Sequence, residues 1–366
     1  MPGSPPRRTK GKQMPRSSRA SPQSSLRPPP QLSTSDVYEL PSLHSSQSTL
    51  ALNDYRREER AIRLALIFTT GEFAAAFGGL TSATITGITQ NYHLSGWRWL
   101  LRMEGVLSMI SAIVIKIVLP DYPEKNNFLD PAERELAVHR LFPFRSHRSS
   151  ENFAWKDVRC VLNDWRLYIH YLLYFLKTIP LSGLFVAGPL LMHSMGYTSY
   201  HAQLMIIPPY VTALVVTVIT AILCDRRECR GAVSGYLMIV GAVGFLFLGS
   251  LPVKNIAGRY IALMLAATGS FATFPILLAW LSMNMPSTPT LGFALGLNVA
   301  IGAPAQLLGA HIYSTSNFVS QQIWGHGINS LCLSVAAVLS VWLSWIYARR
   351  NRPTTLNPGL TNVWAC

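Results

Sequence analysis

The segment SGWRWLLRMEGVLSMISAIVIKIVLP, residues 95–120, decides the fold class of this chain. After Trp99 it is almost continuously apolar, and as a helix it is long enough to cross the hydrocarbon core of a bilayer. Arg102 and Glu104 lie near one end and Lys116 near the other. Tryptophan rings settle at membrane interfaces, and a lysine near a helix end extends its ammonium to the headgroups. The pattern is therefore typical of a transmembrane helix.

The composition of the whole chain also points to the bilayer. Hydrophobic residues make up 49% of the 366 residues and charged residues 13%, whereas soluble domains carry about 25% charged residues. The net charge of +14 does not favour nucleic-acid binding, because ten of the 31 lysines and arginines precede Ala61 and most others lie between apolar runs. We expect a lipid bilayer as partner and no nucleic acid.

Eight apolar runs follow Arg60, each of about 18 to 26 residues and long enough to cross a core of about 30 Å as a helix. They lie at 63–88, 97–119, 167–192, 203–223, 231–250, 260–281, 291–313 and 328–347. The sequence therefore predicts an all-α membrane protein with about eight transmembrane helices.

The segments around these runs give the domain organisation. Residues 1–55 are rich in Ser, Pro and Arg and predict a disordered cytoplasmic tail, with a targeting signal as the alternative. Residues 56–119 hold two spans, 120–166 form a basic cytoplasmic loop, 167–348 hold six spans, and 349–366 form a second cytoplasmic tail.

Lysine and arginine are concentrated in alternate connections. Segment 120–166 holds eight and segment 224–230 holds three, whereas 89–96, 193–202 and 314–327 hold none. Because positive charge near membrane ends stays on the cytoplasmic side, both termini are predicted to be cytoplasmic.

Glu72 and Lys177 lie near the middle of the first and third runs. Ionisable residues within a span are costly and are candidates for function, here for binding an anionic substrate or carrying a proton. A buried salt bridge between helices, or a position in a water-filled vestibule, is the structural alternative.

Small residues suggest where helices approach closely. Gly292 and Gly296 have the spacing of a close-packing motif, and TGEFAAAFGGL, residues 70–80, is similarly rich in small side chains. Both segments predict tight contacts between helices.

Motifs of enzyme chemistry are absent from the sequence, which contains no HExxH, GxSxG, Walker loop or GxGxxG after a strand. The five cysteines lack CxxC spacing and predict neither a zinc site nor a disulfide framework. We expect no enzyme, no catalytic residue, no metal site and no cofactor.

Several segments resemble one family in order and spacing. SGWRWLLRMEGVL followed by LPDYPEKNNFLDPAERELAVHRL looks like the middle of a fungal major facilitator transporter of the anion:cation symporter branch, which includes allantoate and nicotinate permeases. The resemblance covers about residues 55–352 and continues in MGYTSYHAQLMIIPPYV (195–211), CDRRECRG (224–231), AWLSMN (279–284) and IYSTSN with IWGHGIN (312–329).

This resemblance implies a fold of two six-helix halves around a central site. The eight runs would correspond to the family's fifth to twelfth helices, without counterparts of the first four, so we expect an incomplete major facilitator fold. The implied function is proton-coupled transport of a small organic anion, such as an allantoate- or nicotinate-like carboxylate, across the plasma membrane. The alternative is a truncated, non-transporting membrane protein that acts as a remnant or interaction scaffold.

The resemblance also implies roles for individual residues at the centre of the site. Lys177 corresponds to the helix that faces the cavity and would be the counter-charge for the anion, with Glu72 as its resting partner or as a proton site. Trp280 and Asn284, in AWLSMN, are further candidates for substrate binding.

Five other residues are expected to have gating or structural roles. Asp225, Arg226 and Arg230 match a cytoplasmic turn whose charges can pair in one access state and separate in the other. Arg98 and Glu104 match positions near the outer interface and are expected to be structural.

Overall fold

The computed structural model describes residues 60–91, 96–118, 130, 155–197, 199–227, 229–285, 288–313 and 318–356. The predicted tail 1–55 and most of the predicted loop 120–166 lie outside these residues. Within them the chain forms ten helices, α1 Arg60–Asn91, α2 Gly96–Val118, α3 Trp155–Leu162, α4 Trp165–Ser194, α5 Ser199–Met205, α6 Ile207–Arg227, α7 Arg230–Ser250, α8 Ile256–Met283, α9 Thr288–Ile312 and α10 Phe318–Leu356.

Seven segments of the described residues are long and apolar enough to cross a membrane. They are Ala61–Gly78, Trp165–Ser194, His201–Arg227, Arg230–Ser250, Ile256–Met283, Thr290–Ile312 and Ile323–Asn351. The predicted fold class, an all-α membrane protein, is confirmed. The remaining predicted run coincides with α2, a 23-residue helix that is not among the seven, because its charged residues are spread along its length and every stretch of 18 residues contains three of them.

Six of the long helices, α4 and α6 to α10, pack into one bundle. Helix α7 lies along α8 and α10, α4 lies along α9 and α10, and α6 lies along α8. Helix α1 packs on α6 and α8, and α2 packs mainly on α1. The core of this bundle is formed by large buried side chains such as Leu173, Phe245 and Trp280 together with many alanines.

The outward faces of the helices are apolar as well. Ile219 on α6, Leu246 on α7 and Val338 on α10 are all exposed, and every side chain of α2 from Leu101 to Val118 is exposed. Such continuous apolar surface is suited to lipid rather than to water.

Two prolines begin α6. The run predicted at 203–223 contains Pro208 and Pro209, which suggested a break inside a span. In the structure α5 ends at Met205 and α6 begins at Ile207, so both prolines lie in the first turn. Backbone N–H groups have no helical acceptor there, and proline therefore removes no hydrogen bond.

The close contact between helices α7 and α8 is formed by glycines that the sequence did not single out. No described atom lies within 4 Å of a Cβ placed on Gly292 or Gly296, and the same holds for Gly71 in the 70–80 segment. The predicted tight contacts at these glycines are therefore wrong. Instead α7 meets α8 backbone to backbone, where a Cβ on Gly269 would overlap the backbone of Gly241.

Replacing Gly269 by alanine should destabilise the bundle. The added methyl group meets backbone atoms that cannot rotate away, and overpacking of this kind costs about 1–3 kcal/mol. We expect a lower midpoint of thermal unfolding in detergent for Gly269→Ala. Gly292→Ala is the matched control, because its methyl group has open space and alanine favours helix. Equal midpoints for the two variants would contradict the contact.

Candidate functional site

Lys177 is buried at the centre of α4. Its side chain has 0% exposure, and among the described residues its ammonium nitrogen Nζ has no hydrogen-bond partner. A lysine in such a place cannot reach the headgroups, as lysines near helix ends do. Because an unsolvated ammonium is costly inside a bundle, Lys177 is a candidate for a functional role.

Aromatic rings surround the Lys177 ammonium. Nζ lies 3.5 Å from the ring centroid of Phe274 on α8 and 5.1 Å from that of Tyr174, one turn earlier on α4. The electron-rich face of an aromatic ring attracts a cation, by about 2 kcal/mol when water is excluded. The rings therefore offset part of the cost of burying this charge without consuming its hydrogen bonds.

Glu72 is the second buried ionisable group, on α1, with a side-chain exposure of 4%. The hydroxyl of Thr217 on α6 lies 3.3 Å from Oε1 and 3.5 Å from Oε2 of the carboxyl group, and 2.8 Å from the carbonyl oxygen of Ala213. A hydroxyl has one hydrogen and two lone pairs. It can thus donate to an ionised Glu72, or donate to Ala213 and accept from a protonated Glu72.

Phe274 contacts both Lys177 and the helix that carries Glu72. Its ring is 4.4 Å from that of Phe68, which precedes Glu72 by one turn of α1, and it also covers Lys177. Lys177 and Glu72 influence each other through their charges, yet no hydrogen bond joins Nζ to the carboxyl group. The site thus combines one cation, one proton acceptor and aromatic surface from three helices.

Asp225 forms a second polar site, at the end of the bundle where α6 ends and α7 begins. Its carboxylate accepts a hydrogen bond from Arg230 Nη2 at 2.8 Å, one from the backbone N–H of Ile62 at 2.8 Å and one from that of Ala61 at 3.3 Å. The first N–H groups of a helix lack helical acceptors and carry partial positive charge. Asp225 therefore ties the first turn of α1 to α6 and α7.

The two arginines of this turn differ in their surroundings. The side chain of Arg230 is fully buried and forms the ion pair with Asp225. Arg226 is exposed. Only one of the two predicted arginines thus contributes to the link with α1 that the structure describes.

Trp280 and Asn284 lie in another layer of the bundle. Trp280 is buried, and its ring centroid is 4.7 Å from that of His170 and 5.9 Å from that of Tyr347. Asn284 ends α8 and donates from Nδ2 to the carbonyl oxygen of Trp280 at 3.0 Å. Trp280 follows Phe274 by six residues, about 9 Å along the helix, so the structure does not bring this pair to the Lys177 ammonium.

Arg98 and Glu104 are both exposed on α2, which packs mainly on α1. The neighbouring Arg102 is also exposed, and its guanidinium lies 5.7 Å from the ring centroid of Trp99. These charges are therefore at the periphery of the described structure and not beside Lys177 or Glu72.

Sequence reasoning missed Thr217, Phe274 and Tyr174. Thr217 is a polar residue inside an apolar run, which is a weak signal, because a threonine in a helix commonly bonds to its own backbone. Nothing in the sequence distinguishes Phe274 and Tyr174 from other aromatic residues of the spans. Their importance appears only when the Lys177 ammonium is placed against their rings.

A bundle of apolar helices with ionisable side chains buried at its centre defines a polytopic membrane protein with a polar interior site. The sequence pattern of the Major Facilitator Superfamily matches residues 42–310. The chain belongs to this superfamily, as the sequence predicted.

Two relatives illustrate the similarity. The MFS transporter prlL of a fungal species, strain NRRL 50135, is 40% identical over 306 residues, which cover 83% of this chain and 62% of that protein. The high-affinity nicotinic acid transporter of Saccharomyces cerevisiae is 26% identical over 298 residues, which cover 81% of this chain and 55% of that protein. The chain thus matches 62% or less of the length of these two relatives.

A solved structure is similar in fold. The proton:xylose symporter XylE, bound to 6-bromo-6-deoxy-D-glucose, superposes with a TM-score of 0.57 at 16% sequence identity. The superposition covers 83% of this chain and 67% of the symporter. At this identity the likeness concerns the fold alone.

Removing the Asp225 carboxylate should destabilise the structure strongly. Asp225→Ala leaves the Arg230 guanidinium buried without its counter-ion, a change that costs about 3–5 kcal/mol. We expect a lower midpoint of thermal unfolding in detergent, and partial recovery in Asp225→Ala/Arg230→Met, which removes the stranded charge as well.

Arg226→Ala is the control for this pair, because Arg226 is exposed on the same turn. Its midpoint should match that of the unmodified chain. A midpoint for Asp225→Ala equal to that of the control would contradict a stabilising role for the carboxylate.

Proposed function

We propose that this chain serves secondary transport of a small organic anion together with a proton, with the anion bound at Lys177. One observation carries the proposal: Nζ of Lys177 is fully buried, lies against aromatic rings and has no hydrogen-bond partner in the part of the chain that the structure describes. A carboxylate is the ligand that such an ammonium lacks, because it supplies both a counter-charge and hydrogen-bond acceptors.

Charge balance relates this site to proton coupling. With Glu72 ionised, the site holds one positive and one negative charge and gains little from an anion. When Glu72 takes up a proton, Lys177 is left with an unbalanced charge that a carboxylate can neutralise. The Thr217 hydroxyl can serve both protonation states of Glu72 by reversing its hydrogen bond. Proton binding thus favours anion binding, which is the requirement for cotransport.

The finer assignments belong to this proposal. Membership in the anion:cation symporter branch is supported by the relative named as a nicotinic acid transporter. Assignment of the spans to the family's fifth to twelfth helices, cytoplasmic termini and a plasma-membrane location remain predictions. The Asp225 link to α1 is a suitable gate, because its separation would free the end of α1 from α6 and α7.

Lys177→Met should weaken anion binding without unfolding the protein. A charge-assisted hydrogen bond is worth about 1.5–3 kcal/mol, so the affinity for nicotinate should fall by about tenfold or more. Methionine fills similar space without the buried charge, and the thermal midpoint should be unchanged or higher. Binding of radiolabelled nicotinate and allantoate to the purified full chain measures the effect.

Lys254→Met is the matched control, because Lys254 is exposed between α7 and α8 and should retain wild-type affinity. Unchanged affinity in Lys177→Met would contradict the role of Lys177. If the unmodified chain binds neither carboxylate, the result would favour the alternative of a non-transporting scaffold.

Glu72→Gln should uncouple anion movement from the proton. The amide keeps the size and polarity of the carboxyl group but does not take up or release a proton near neutral pH. In proteoliposomes we expect nicotinate exchange to persist and its stimulation by an inwardly directed proton gradient to be lost. Glu104→Gln, on the exposed face of α2, should respond to the gradient normally. Equal stimulation of Glu72→Gln and the unmodified chain would exclude Glu72 as the proton site.

A further inference from the structure

A long groove separates the outward faces of α7 and α10. It has a volume of about 640 Å³, and its floor is formed by the small, buried residues Ala242 and Ala337. Larger side chains rise on both sides of this floor, namely Ile239, Val243 and Leu246 on α7 and Val338, Trp342 and Trp345 on α10. The groove exists because alanines face each other where the two helices otherwise carry bulky residues.

The lining of this groove suits a hydrocarbon chain. Two serines lie along it, but their hydroxyl groups are already used: Ser330 donates to the carbonyl oxygen of Ala242 at 2.9 Å and Ser334 to that of Ser330 at 2.8 Å. The remaining lining is largely apolar. A polar ligand would therefore lose its hydration here without replacement, whereas an acyl chain would not.

The groove is longer than the hydrocarbon depth of one leaflet. From Ser330 to Trp345 the α10 wall measures about 22 Å at the helical rise, and half of a bilayer core measures about 15 Å. An acyl chain that enters at one end can therefore lie in the groove over its whole depth in that leaflet.

One end of the groove carries aromatic rings and a positive charge. Trp342 and Trp345 line it there, and the guanidinium of Arg349, one turn beyond, lies 5.1 Å from the ring centroid of Trp345. Tryptophan rings mark the membrane interface. The exposed Arg349 is thus positioned at headgroup level, directly above the apolar groove.

We propose that this groove binds a phospholipid with a negatively charged headgroup, one acyl chain lying between α7 and α10 and the headgroup paired with Arg349. In the orientation proposed above this end is cytoplasmic, where anionic lipids are enriched. The assignment to the cytoplasmic leaflet depends on that proposed orientation. Binding of the lipid does not depend on transport.

Native mass spectrometry of the full chain, released from nanodiscs of equal parts phosphatidylcholine and phosphatidylserine, tests the proposal. The chain should retain phosphatidylserine preferentially. Because one arginine near the membrane surface contributes about 1 kcal/mol, Arg349→Gln should reduce retained phosphatidylserine about fivefold. Val338→Trp, which fills the groove, should reduce retention of both lipids.

Two matched variants separate the groove from general effects. Arg350→Gln removes a neighbouring positive charge and should reduce retained phosphatidylserine by less than Arg349→Gln does. Val335→Trp enlarges an exposed side chain of α10 outside the groove lining and should retain lipid as the unmodified chain does. Equal retention of the two lipids, or equal effects of each variant and its control, would overturn the proposal. Nicotinate binding is measured separately in the same preparations, so failure of lipid binding and failure of the transport site remain distinguishable.

Discussion

The structure depends on how a helix bundle accommodates charges that hydrocarbon cannot solvate. Two solutions occur in the described residues. Arg230 is fully buried and ion-paired with Asp225, whose carboxylate also binds the first turn of α1. Lys177 is equally buried, but its Nζ lies against aromatic rings and is not hydrogen-bonded to the Glu72 carboxyl group. The first arrangement joins helices, because its hydrogen bonds are used within the protein, whereas the second leaves the hydrogen bonds of the ammonium available to a ligand.

Much of the fold was predictable because membrane spans are encoded locally. A run of apolar residues long enough to cross a bilayer is recognisable without knowledge of its neighbours, and seven segments of the described structure meet this requirement. The contact between α7 and α8 was not predictable in the same way. Gly292 and Gly296 had the expected spacing, yet the backbones meet at Gly241 and Gly269, since the partner of a small residue is decided by packing between distant segments.

In the candidate site, too, some residues could be predicted from the local sequence and others only from the packing of distant segments. The sequence predicted Lys177 and Glu72 as candidate site residues, because a charged residue inside an apolar run can be recognised from the sequence alone. It did not identify Phe274 or Thr217, which lie on other helices and gain their roles only through proximity to those charges. Asp225 was recognised as part of a turn, but its bonds to the amides of α1 connect residues more than 160 positions apart.

The contact between α7 and α8 has a mechanical consequence. The backbones of Gly241 and Gly269 are so close that no side chain fits between them, and larger residues of either helix cannot pass through this contact. The contact therefore opposes sliding of α7 along α8. Phe274 lies five residues after Gly269 on α8, so the ring that covers Lys177 is carried by the helix that this contact joins to α7.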